Sequence, residues 1–127
     1  MNLSQHLAEQ DVSWLAIRQP AVMRLLEREL ICHDALAAGL ELACRVLGGR
    51  TSLGDLRLDH RALSHGLAAV RDGLCDRAMV RSIRDQIDEL PVVLSKSEQD
   101  AVATAIAAVI WAVLEASVRD LGETLVA

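Results

Sequence analysis

Glu29 and His33 lie four residues apart in the stretch 21–47, inside what is otherwise the apolar face of a helix. At that spacing two side chains are neighbours on a helix surface. A carboxylate beside an imidazole in a desolvated groove is how a general base is oriented, and it is also half of a metal site. The other half is missing from the pattern. A carboxylate-bridged two-metal bundle needs several inward Glu and paired Glu-x-x-His motifs, whereas the central helix offers only Glu115 below its apolar run, and no His. The expectation is a polar core pair, Glu29 with His33, whose hydrogen bond offsets part of its cost of burial.

Other spacings are weaker. Arg28 to His33 reads Arg-x4-His, which resembles the ribonuclease motif of the HEPN helical domains. That resemblance covers six residues and implies a dimer in which each protomer presents the pair to RNA. Glu29 follows the Arg where the family tends to carry a different polar residue, and residues five apart point about 140° apart on an ideal helix. His60 and His65 are likewise five apart, and Cys32, Cys44 and Cys75 follow no zinc-ligand spacing. The GGRTS at 48–52 follows a helix and lacks the Lys of a phosphate loop. No catalytic, cofactor or metal residue is therefore assigned, and the chain is expected not to be an enzyme.

Arginines make a second candidate surface. Residues 50–84 hold seven Arg against four Asp, a local charge of +3 in a chain whose formal net charge is −5. Arg77, Arg81 and Arg84 share a helical face, with Arg71 nearby, and such a strip could track phosphates. Asp85 and Asp88 follow Arg81 and Arg84 by four, so pairing within the helix accounts for the same face. No aromatic residue is near enough to stack a base, so any contact with RNA or DNA would be to the backbone and not sequence-specific.

The element that must organise these residues is the stretch 96–121. Its run from Ala101 to Leu114 carries one polar residue, Thr104. A helix apolar all round belongs at the centre of a bundle, and fourteen residues give about 21 Å, short of a bilayer crossing. Ser95 and Glu98 fit a capping box at its start. Ala101, Ala105, Ala108, Ala112 and Ala116 make a stripe of small side chains, a seat for another helix of this chain or for the same helix of a second copy. Val102, Ile106, Val109 and Val113 form a second stripe; Trp111, Leu114, Val118 and Leu121 form a third.

Around it, residues 3–18 read as a first helix, and Pro20 opens a long second helix over 21–47 that stops at Gly48-Gly49. Its length matches that of 96–121 and makes the two natural antiparallel partners. Residues 48–58 read as a loop. From Asp59 a helix puts Leu63, Leu67, Val70 and Leu74 on one face, and a break near Gly73 with Asp76 as a new N-cap starts another. Pro91 ends that one.

The reading is all-α: a single up-and-down bundle of four to five helices, spanning 1–127, around a central apolar helix at about 96–121. Half the residues are apolar, only Trp14 and Trp111 are aromatic, and Arg outnumbers Lys twelve to one. The N-terminus has no basic region leading into an apolar one, and an odd number of unpatterned cysteines suits reduced thiols. The expected setting is the cytoplasm, away from membranes, without cofactors. The expected partner is the chain itself or another protein subunit, with nucleic acid as the alternative.

Overall fold

Asp59, Asp76 and Ser95 each stand where extended chain turns into helix, and each accepts a hydrogen bond from the helix it opens. The Asp59 carboxylate accepts from the Ala62 N–H at 2.8 Å, and that of Asp76 from the Ala78 N–H at 2.9 Å. Ser95 and Glu98 close the capping box: the Ser95 N–H donates to Glu98 Oε1 at 3.0 Å and the Glu98 N–H to Ser95 Oγ at 3.2 Å. The computed structural model describes residues 15–48 and 57–126, and among these the chain is all-α. After a helical turn at 15–18 come α1 (Pro20–Glu29), α2 (His33–Gly48), α3 (His60–Arg71), α4 (Arg77–Glu89) and α5 (Lys96–Val126). The expected helix over 3–14, most of the loop over 48–58 and Ala127 lie outside the described residues.

α5 is the centre. Val102, Ala105, Ile106, Ala107, Ala108, Val109 and Ala112 are at most 1% exposed, and each of the other four helices packs against α5. Within Lys96–Val118, long enough to cross a bilayer, the most apolar 18-residue window has a mean hydropathy of 2.0, and half of that window is buried inside the chain. The chain's own helices thus answer about half of that stretch.

The expected long helix over 21–47 is two helices. α1 ends at Glu29 with the Leu30 N–H still donating to the Leu26 carbonyl at 2.8 Å, and α2 begins at His33, after three intervening residues. Ile31 and Cys32 hold helix weakly, and no Gly or Pro marks the break. What compensates it lies across the corner: the side chains of Leu26 and Leu30 pack over Gly39 of α2, where no Cβ stands in their way. The main partner of α5 is accordingly the short α3, with α2 second.

α3 runs antiparallel to α5. His65 faces Glu115, Gly66 sits on the backbone of Ala108, and Leu67 and Arg71 lie beside Ala101 and Thr104. A Cβ at Gly66 would be driven into the Ala108 carbonyl oxygen and come within 3.2 Å of its Cα. The alanine stripe therefore seats a helix of the same chain: Ala105, Ala108 and Ala112 are fully buried, while Ala101 and Ala116 are half-buried.

Two polar links tie the ends of the bundle. Gln19, 3% exposed, accepts the Leu58 N–H on its Oε1 at 3.0 Å and so joins the start of α1 to the approach to α3. Glu98 is held as a carboxylate by the Cys32 thiol first and then by the Ser95 backbone and side chain, which push its pKa below the usual carboxylate value. A depressed pKa stabilises the fold above the unfolded-state pKa, and that contribution is lost as pH falls through the folded value. The stability gap between wild type and Glu98→Gln, followed by urea unfolding, should therefore be open at neutral pH and close on acidification below the carboxylate range. A gap that stays constant into acid would remove the carboxylate from the account.

Candidate docking groove between α3 and α5

The end of α3 builds one wall of a groove. Gly73 takes a left-handed φ of +74°, the Leu74 N–H donates to the Ala69 carbonyl at 2.9 Å, and the Gly73 N–H donates to that of Val70 at 3.1 Å. This is a Schellman cap, which turns the residue after the glycine back onto its own helix. Leu74 is thereby set beside Ala69, facing α5, yet it remains 65% exposed. Across from it α5 presents Trp111, half-buried, with Leu114 and Val118, 49% and 69% exposed. The groove encloses about 620 Å³ over a floor of Ala68 and Ala69. Half of the large apolar side chains left exposed among the described residues gather here; Ile17, Ile31 and Val93 lie elsewhere.

The rim is polar. His65 Nδ1 lies 3.8 Å from Glu115 Oε1, and both also line a smaller polar recess with Asp59 and Arg61. Asp72, the C-cap of α3, closes the other side. The start of α3 thus lies level with Glu115.

Trp111, Leu114 and Val118 are spaced three and four apart, and the sequence continues the alternation with Leu121 and Leu125. That is the heptad spacing of a helix edge that meets another helix. The stripe is legible in sequence through Leu121, but periodicity does not tell whether the chain itself covers it. Leu74 counts in sequence as part of the buried face of α3; the cap places it outside that helix and into the groove.

The other candidates fare differently. Glu29 and His33 are no core pair: the break between α1 and α2 separates them, His33 is exposed at the head of α2, and Glu29 pairs instead with Arg28 at 3.3 Å and with Arg71 at 3.5 Å. Arg28 and His33 likewise stand on two helices. The arginine face is partly neutralised. Arg71 meets Glu29, and Arg84 reaches across to Asp100 on α5 at 2.6 Å, not to Asp88 on its own helix. Arg77 and Arg81 are exposed and form no ion pair with the described residues. Cys32, Cys44 and Cys75 form no disulfide among the described residues and are half-buried, and burial pushes the Cys75 thiol up. Among the described residues no group of three His, Cys, Asp or Glu side chains is arranged to hold a metal ion.

Compared with known proteins, the chain matches no family model, no curated protein and no solved structure.

Proposed function

We propose that this chain is a non-enzymatic interaction protein of the cytoplasm, a homo-oligomer or small accessory subunit, whose groove between α3 and α5 takes a partner α-helix with heptad-spaced apolar residues. The observation that carries the reading is the exposed Leu114 and Val118 beside Trp111 on one heptad-spaced edge of α5, with the exposed Leu74 lining the same groove from the end of α3. Burying a Val or Leu side chain that water now covers is worth roughly 1.5–3 kcal/mol. Three such residues offset a large part of the estimated 4–15 kcal/mol that association costs in lost freedom. An amphipathic helix laid into an apolar groove is a recurring way to use such an edge. The polar rim of His65, Asp72 and Glu115 suits the solvated border of such an interface.

The direct test is a photo-crosslinking residue at Val118, introduced in cells, with the same probe at Arg77 as control. A discrete protein adduct from position 118, identified by mass spectrometry and absent from position 77, is the expected result. Adducts no different from the control would remove the groove as a docking site.

A further inference from the structure

We infer that the helix this groove receives belongs to a different protein and carries two Lys or Arg residues seven apart beside its apolar edge, one for Asp72 and one for Glu115. The inference rests on the docking reading above and names the chemistry of the partner.

The charge of the groove carries it. Its lining holds two carboxylates, Asp72 and Glu115, one imidazole, His65, and no lysine or arginine. The adjoining recess adds Asp59 and Arg61, whose charges balance. Asp72 is exposed, and its carboxylate forms no ion pair among the described residues. Glu115 keeps 33% of its side chain exposed with His65 Nδ1 3.8 Å from its Oε1. Both acids are therefore open to a cation that a partner brings, and the apolar side chains between them take its edge.

Their spacing sets the pattern. His65, which faces Glu115, stands seven residues before Asp72, the C-cap of α3. Seven residues are two turns, about 10 Å at 1.5 Å per residue. A helix laid along α3 meets that interval with residues seven apart on one flank of its apolar edge. Charged residues beside an apolar seam set partner choice in coiled coils in the same way.

The same chemistry points away from a second copy. From Ser97 to Val118 α5 has no Lys or Arg, and it carries Glu98, Asp100 and Glu115. Another α5 would bring carboxylates to a carboxylate-lined groove, and facing like charges suppress such a pairing. α4 does hold Arg77 and Arg84 seven apart, but its Ile83 and Ile87 are buried in its own chain and Arg84 is held by Asp100. At roughly 60–120 Å² for each large apolar side chain, Leu74, Trp111, Leu114 and Val118 supply roughly 240–480 Å², under the ~800 Å² a side of a standard interface. The complex is accordingly transient, and charge complementarity selects its partner.

Fluorescence anisotropy of labelled synthetic peptides against the full chain tests it. Two peptides of about three heptads share a leucine edge and carry either Lys or Glu on its flanks; a third keeps the Lys flanks and replaces the leucines by Ser. At about 20 mM salt the Lys peptide should bind about 30-fold more tightly than the Glu peptide, and the ratio should shrink to a few-fold at about 500 mM. Asp72→Lys with Glu115→Lys should reverse the order. The milder Asp72→Asn with Glu115→Gln should abolish the preference while circular dichroism stays unchanged. Equal binding of the Lys and Glu peptides, lost in Val118→Asp, overturns the charge inference and leaves the docking reading standing. Equal binding of the Ser-edged peptide, or a Lys preference that survives Asp72→Asn with Glu115→Gln, places the attraction elsewhere and overturns the inference. It is overturned as well if neither leucine-edged peptide binds, the position-118 crosslink then deciding the docking reading by itself, or if that crosslink captures a second copy of this chain.

Discussion

Gly66→Ala should destabilise the protein by about 1–2 kcal/mol, although the change favours the helix in which it lies. Alanine in place of a helical glycine gains about 0.8–1.0 kcal/mol of propensity. Against that gain stands the backbone of Ala108: the new methyl group would be driven into its carbonyl oxygen, and a helix backbone cannot swing aside as a side chain can. Overpacking typically costs about 1–3 kcal/mol. Here relief requires moving α3 off α5 along the most extensive helix contact in the chain, so the cost falls at the top of that range. Gly66→Val, which adds bulk and forgoes the propensity gain, should lose about 3 kcal/mol. Urea unfolding followed by circular dichroism would measure both. Equal or greater stability for Gly66→Ala would mean that the two helices do not meet at this point.

The corner between α1 and α2 supports a second large effect, one that depends on a pair. Leu30 is 2% exposed, and a Cβ on Gly39 would run into its Cδ1. Leu30→Ala should cost about 2–5 kcal/mol, the usual range for truncating a buried leucine. Gly39→Ala alone should be mildly destabilising, because the obstructing atom is the tip of a flexible side chain. Together they should cost less than their sum by about 1–2 kcal/mol, since Leu30→Ala removes the atom that the new methyl group meets and the propensity gain of Gly39→Ala is then realised. Strict additivity in the double-mutant cycle would show that the break between α1 and α2 is held by something other than this contact.

How much of this is legible in sequence follows from the range of the interactions. Pro20, Asp59, Asp76 and the Ser95–Glu98 box act within one turn, and their residue types announce them. The all-α class and the central place of α5 follow from an apolar run with no polar face. The break at Ile31 is of another kind. Apolar residues before and after it keep nearly the same phase, so a helical wheel runs straight through, and the contact that packs the corner is made at Gly39, nine residues beyond Leu30 in sequence. The expected Glu29–His33 pair fell with that helix. Arg84 had Asp88 within reach along its own helix and took Asp100 from α5. Trp111, Leu114 and Val118 were visible as a stripe, but which stripe the chain leaves uncovered depends on where α3 lies. α3 is set by Gly66 on Ala108, a contact between residues 42 apart.

Trp111 adds a practical consequence to its position in the groove. The chain has no Tyr and no Phe, so its near-ultraviolet absorption and emission come almost wholly from Trp14 and Trp111. In a Trp14→Leu background the protein carries a single fluorophore, half-buried in the groove itself. Its emission wavelength and its quenching by a neutral solute then report directly on whether anything covers that edge, at nanomolar concentration and without a label. The protein thus carries its own optical gauge for the surface on which its function is proposed to rest.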